Sequence, residues 1–147
     1  DGGKCNIGIE STIIDLRDKP EILRLGGLEV SKIKKILGKK IKITTNLKKK
    51  IAPGHSKLHY SPGIPLRMNV KKPNKNEAFI LLKKNKNAYL NYFYLSKKNN
   101  LKDAAKNLYS LLRKIKNNGY KSIAVEKIQN FGVGQAINDR LKRASQF

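Results

Sequence analysis

Three places in the 147-residue sequence set reactive side chains close together. The first is GIEST, where the hydroxyls of Ser11 and Thr12 follow the carboxylate of Glu10. Paired hydroxyls suit an anionic ligand, but neighbouring side chains in a regular strand point to opposite faces. Ser11 and Thr12 therefore share one ligand only where the strand breaks, or where backbone N–H groups join them. Otherwise they are ordinary strand residues. The second place is Arg24, just before Gly26-Gly27. A guanidinium chelates a phosphate through two parallel hydrogen bonds, and neighbouring glycines let a ligand approach the backbone. A surface arginine at a turn is the plainer reading. The third is APGHSKLHYSP, residues 52–62, which holds both histidines of the chain, His55 and His59, together with Tyr60. Pro53 and Pro62 limit the freedom of this loop, so His59 and Tyr60 are presented at low entropic cost. That pair can hydrogen-bond a substrate or stack on a base. Two histidines four apart, off a helix and without a third ligand, make a poor metal site, and no metal is expected. A proline-rich spacer is the alternative.

The elements that must position these residues follow from periodicity. CNIGIESTIIDL (5–16) alternates around Ile7, Ile9 and Ile13 and predicts a strand. EILRLGG (21–27) predicts a second, stopped by its glycines, with a polar connection between them. EVSKIKKILG predicts a helix with Val30, Ile33, Ile36 and Leu37 on one face and Gly38 as its C-cap. Residues 39–66 show weak periodicity and several prolines, and predict a long ordered linker. Beyond it, AFILL (78–82) and NYFYL (91–95) predict strands. Leu101, Ala104, Ala105, Leu108, Leu111, Leu112 and Ile115 keep helical spacing up to Asn118-Gly119. SIAVEKI (122–128) predicts a further strand, and GQAINDRLKRAS (134–145) a terminal helix with Ala136, Ile137, Leu141 and Ala144 inward. Strands alternating with helices argue for a small α/β domain. FGVGQA lacks the full glycine fingerprint of a phosphate loop and reads better as a tight strand-to-helix turn. Asp139-Arg140 reads as a structural polar pair. The sequence offers no Ser-His-Asp or Cys-His nucleophile system.

Composition bounds the rest. There are 33 Lys plus Arg against 10 Asp plus Glu, a formal net charge of +23. Clustered cations bind polyanions such as RNA by releasing counterions, so weak tRNA binding is one expectation. The lysines scatter along the chain, however, and the abundance of Lys, Asn and Ile makes compositional drift the plainer reading. A single cysteine, Cys5, excludes an intramolecular disulfide framework and fits a reducing, cytoplasmic setting. No apolar run approaches membrane-spanning length. The start at Asp1-Gly2-Gly3 suggests a fragment of a longer chain.

Taken together, DGGKCNIGIESTIIDL, ILRLGG, APGHSKLHYSP, IAVEKI and GVGQAINDRLKRA resemble, in order and spacing, the C-terminal portion of the long, two-domain threonylcarbamoyl-AMP synthases. The resemblance implies an α/β protein in three parts. Residues 1–40 would be the end of a YrdC-like catalytic domain, 41–66 a linker lying over its cavity, and 67–147 a small Rossmann-like domain. It implies that L-threonine, bicarbonate and ATP, with Mg²⁺ carried on the ATP, give threonylcarbamoyl-adenylate and pyrophosphate. A partner threonylcarbamoyl transferase complex would use that adenylate to modify adenosine 37 of tRNA. By the same resemblance Ser11, Thr12 and Arg24 hold nucleotide phosphates, and His59 and Tyr60 belong to the covering linker. Closure over substrate would exclude water from labile intermediates. The family's Lys-x-Arg and Ser-x-Asn motifs have no counterpart here, so the catalytic residues are not assigned and the chain alone is expected to be inactive. Leu25 stands where the family commonly has proline, and His55 where it often has methionine. A related YrdC-type carbamoyltransferase and a non-catalytic basic module that binds tRNA or a protein partner are the alternatives.

Overall fold

The computed structural model describes residues 6–44, 60–85 and 89–146. Strand β1 (Ile13–Asp15) pairs antiparallel with β2 (Glu21–Arg24). Helix α1 (Val30–Leu37) follows, and β3 (Lys42–Ile43) returns parallel to β2 to complete a three-stranded sheet. Two expectations are corrected here. Residues 6–12 are not regular strand: Gly8 has a positive φ of 69°, and the Glu10 carbonyl accepts from the Gly27 N–H at 3.0 Å instead of joining a ladder. The stretch around Lys42–Ile43, expected to be linker, is a strand, extended by a bond from the Thr44 N–H to the Ile22 carbonyl at 2.9 Å. Helix α1 buries only Val30 and Ile33, against Ile22 and Ile41, while Ile36 is 83% exposed. The apolar stripe on that helix is longer than the small sheet that covers it.

The larger sheet comes from the rest of the chain. Its strands are β4 (Leu66–Arg67), β5 (Ala78–Lys83), β6 (Tyr92–Ser96) and β7 (Ile123–Val125), all parallel and in the order β4-β7-β5-β6. The consecutive buried residues of β5, Ala78 to Leu82, are what a central parallel strand covered on both faces requires. The strand expected over 122–128 is regular only at Ile123–Val125. Between β6 and β7 runs α2 (Leu101–Asn117), capped by the Asn100 side chain, which accepts from the Lys102 and Asp103 N–H groups at 2.8 and 3.3 Å. Helix α3 (Gly134–Ala144) closes the fold behind a turn in which Gly132 takes a φ of 53°, as expected for the glycine pair before that helix.

One core joins these layers. Leu108, Leu112 and Ile115 of α2 and Ile137 and Leu141 of α3 pack on Ile80, Leu82, Leu95, Ile123 and Val125 of the sheet. Each such side chain contributes roughly 1.5–3 kcal/mol when fully buried. Ile9 and Tyr60 belong to the same cluster. The segment leading into β1 and the end of the proline-rich loop are therefore both packed against the α2–α3 layer. On the opposite face, Phe79, Leu81 and Ala124 form a smaller cluster with Val70, Tyr92 and Tyr94. Buried Glu77 ties the edge strand β4 to β5, accepting from Arg67 Nε and Nη2 at 3.1 and 2.6 Å and from the Asn74 N–H at 2.9 Å. Among the described residues no helix is long and apolar enough to cross a membrane.

Candidate functional site

Arg24 ends β2 and is 9% exposed. Its Nε donates to the Ser11 carbonyl at 3.0 Å and its Nη2 to the Ser11 hydroxyl at 3.1 Å. Two of the residues singled out in the sequence are thus in direct contact, on a Ser11 that is itself exposed. The Thr12 hydroxyl donates elsewhere, to the Leu28 carbonyl at 2.8 Å. Because β1 begins only at Ile13, residues 10–12 are free of strand alternation and lie across the turn after Arg24. Gly26 makes that approach feasible. A Cβ there would fall well inside 3.0 Å of the backbone of Glu10, Ser11 and Thr12, a separation real Cβ atoms essentially never show. A guanidinium beside a hydroxyl, framed by a glycine turn, is a chemically sound anchor for a phosphate.

Directly behind this pair lies a cluster that the sequence reading did not assemble. Arg140 of α3 is 1% exposed, the largest fully buried side chain among the described residues. Its Nε donates to Glu10 Oε2 at 2.9 Å, its Nη2 to the Leu25 carbonyl at 2.7 Å, and its Nη1 to the Asp139 carboxylate. The guanidinium carbon also sits 4.8 Å from the centre of the Tyr60 ring. Tyr109 of α2 donates its hydroxyl to Glu10 Oε2 at 2.9 Å, and its ring stacks on Tyr60 with centroids 5.9 Å apart and planes 13° from parallel.

Electrostatics follow from this packing. Burial pushes the Glu10 carboxyl upward, but its own backbone N–H, the charge of Arg140 and hydrogen bonds from Arg140 and Tyr109 together hold it below the usual carboxylate range. Burial pushes both phenols, Tyr60 and Tyr109, above the ordinary tyrosine value, with Arg140 opposing. At neutral pH the cluster is an ionised carboxylate and a guanidinium with two neutral phenols. Asp139 supplies a second counter-charge and also accepts from Arg143 Nε at 3.0 Å. A charge as buried as that of Arg140 needs such partners.

Of the sequence-predicted residues, Ser11, Thr12, Arg24 and Tyr60 are placed, and His59 lies outside the described residues. Asp139 and Arg140 do form the pair expected of them, but most of the Arg140 fork is directed elsewhere. A signal for that was present: Arg140 falls on the inward face defined by Ile137, Leu141 and Ala144, where a charge must find buried partners. Tyr109 carried no such signal.

Residues 28–146 match the family model for the C-terminal domain of threonylcarbamoyl-AMP synthase. This chain belongs to that family. Threonylcarbamoyl-AMP synthase of Pyrococcus abyssi is 31% identical over 170 residues, covering 100% of this chain and 48% of that protein. The Bacillus subtilis enzyme of the same name is 30% identical over 165 residues, covering 99% of this chain and 47% of its own length. The chain therefore spans about half the length of the relatives it matches. Among solved structures, P. abyssi Sua5 complexed with L-threonine superposes with a TM-score of 0.79 at 29% identity, over 99% of this chain and 48% of that one. A variant of P. abyssi Sua5 with a consecutive histidine and tyrosine both replaced by alanine matches with a TM-score of 0.74 at 27% identity, over 99% of this chain and 47% of that one.

Proposed function

We propose that the protein containing this chain is a threonylcarbamoyl-AMP synthase. It would convert L-threonine, bicarbonate and ATP into threonylcarbamoyl-adenylate, pyrophosphate and water. The observation that carries this reading is the match to enzymes of that name over essentially the whole of this chain. Residues 1–40 are the end of the catalytic domain, 41–66 the linker, whose first residues add β3 to the sheet of β1 and β2, and 67–147 the Rossmann-like domain. Arg24 and Ser11 hold a phosphate of ATP, with Thr12 bracing the turn beside them. Mg²⁺ arrives as part of the ATP substrate. His59 and Tyr60 cover the bound substrates. The sequence contains one His-Tyr dipeptide, and the altered pair in the matched P. abyssi variant is likewise a histidine followed by a tyrosine. The L-threonine in the other matched structure supports threonine as the amino-acid substrate. The adenylate would pass, in the cytoplasm, to a threonylcarbamoyl transferase complex acting on tRNA.

The test uses the protein from its complete reading frame. Replacing His59 by alanine should cut threonylcarbamoyl-adenylate formation at least tenfold with the fold intact, and Tyr60→Ala, which also removes a ring from the main core, should cut it further and lower stability. Unchanged formation would remove the covering role. A second reading, a basic module that binds tRNA, is favoured by the +23 charge alone. Salt-dependent tRNA affinity without any nucleotide binding would support it over the synthase.

A further inference from the structure

We propose that Arg140, on the last helix, is the positioning residue that fixes the three site segments against one another, with Tyr109 as its second hand. This rests on the synthase reading above. The geometry is specific. Among the described residues, the hydrogen bonds and the ring contact that Arg140 makes outside its own helix fall on, or directly beside, candidate site residues. Glu10, 2.9 Å from Nε, precedes Ser11. The Leu25 carbonyl, 2.7 Å from Nη2, follows Arg24. Tyr60, whose ring lies 4.8 Å from the guanidinium carbon, follows His59. One planar fork thus sets the phosphate strand, the phosphate arginine and the end of the covering loop in a single register.

Charge compensation accounts for Glu10, because Asp139 on the same helix is shared with Arg143, but it does not account for the Leu25 carbonyl or for the Tyr60 ring. The remaining nitrogens of Arg140 span 130 and 115 residues of sequence to reach Glu10 and Leu25. Tyr109 repeats the pattern from α2, with its hydroxyl on Glu10 and its ring on Tyr60. A lysine could keep the positive charge but not the planar fork that serves two acceptors while lying over a ring. The α2–α3 layer is then a template for the chain at Tyr60, and it acts without touching substrate. Misplacement of a positioning group by about 1 Å can cost on the order of a hundredfold in rate.

Two readouts in the protein from its complete reading frame decide the matter. The first is hydrogen exchange. Arg140→Lys and Tyr109→Phe should speed exchange of the Tyr60, Ser61 and Gly63 amides at least tenfold, while Ile80 and Leu81 in the central strand keep their protection. The second is a double-mutant cycle on threonine-dependent pyrophosphate release. Arg140→Lys should lower kcat/KM roughly 10- to 100-fold, and adding Tyr60→Ala to it should cost no more than a further twofold. Independent effects that multiply would assign Arg140 a merely structural role and overturn the proposal. Unchanged exchange at residues 60–63 would overturn it equally. If the wild-type protein releases no threonine-dependent pyrophosphate, the synthase reading falls, and the exchange measurement alone decides whether Arg140 holds Tyr60. Should Arg140→Lys fail to fold, Tyr109→Phe, which removes a single hydroxyl, carries both readouts.

Discussion

Replacing Gly26 by alanine tests whether a close backbone approach, and not side-chain chemistry alone, brings Arg24 and Ser11 together. The added methyl would press on the backbone of Glu10, Ser11 and Thr12, none of which can move aside as a side-chain tip can. To relieve it the 10–12 segment must lift off the turn. That weakens the Gly27 N–H to Glu10 carbonyl bond at 3.0 Å and the charge-assisted Arg24 to Ser11 carbonyl bond at 3.0 Å. A neutral hydrogen bond is worth about 0.5–1.5 kcal/mol and a charge-assisted one about 1.5–3. Overpacking adds typically ~1–3 kcal/mol. Since neither bond is lost entirely, a total of roughly 2–5 kcal/mol is expected. For a chain of this size that lowers Tm by roughly 5–15 °C. Gly27→Ala is the control. The nearest atoms its Cβ would meet belong to the Ile7 side chain, at 2.8 and 3.3 Å, and Ile7 is half exposed and can rotate away. It should cost under about 1 kcal/mol, in the range of ordinary surface substitutions. Thermal unfolding followed by circular dichroism compares the two, and ATP affinity should fall with Gly26→Ala alone. Equal melting of both variants, or a Gly26→Ala protein within about 2 °C of wild type on that scale, would refute the reasoning.

Acid sensitivity and helix capping give two further tests. Glu10 is held low by Arg140 and Tyr109 against the upward push of burial, and Glu77 is held low chiefly by hydrogen bonds from Arg67. A depressed carboxylate contributes stability that is present above its unfolded pKa, about 4.3, and lost as pH falls through the folded value. Urea midpoints should therefore be level above about pH 5 and fall below it, and Glu77→Gln should lower the plateau and flatten part of that fall. A midpoint that rises on acidification would contradict the assigned direction. Asn100→Ala removes the acceptor for the Lys102 and Asp103 N–H groups and should cost about 1 kcal/mol in denaturant unfolding, with Asn100→Asp retaining most of it.

What the sequence made legible depended on how local each signal was. The apolar run of β5 and the spacing of Ala104, Leu108 and Leu112 in α2 carry their burial in the pattern itself, and both elements stand where that pattern puts them. Lys42–Ile43 and Leu66–Arg67 are strands of two residues, too short to show any alternation, and their partners Glu21 and Ile123 lie far away in sequence. Ile36 belongs to the apolar stripe of α1, yet amphipathic spacing says only that a face exists, not how much partner surface covers it. At the site, Ser11 and Arg24 could be singled out from residue type and the neighbouring glycines. Their contact was not, because it depends on residues 10–12 leaving the strand geometry that their alternation suggests. The Arg140 cluster was least legible, since its members lie at positions 10, 60, 109 and 140 and only folding brings them together.

The most direct test of the central claim is pyrophosphate release from ATP by the protein of the complete reading frame, with threonine and bicarbonate each present or withheld, in wild type and in Arg24→Ala. Release that requires both co-substrates, with the apparent KM for ATP raised at least tenfold in Arg24→Ala, is the predicted result. Release indifferent to threonine, or an Arg24→Ala protein that uses ATP as well as the wild type, would contradict the account.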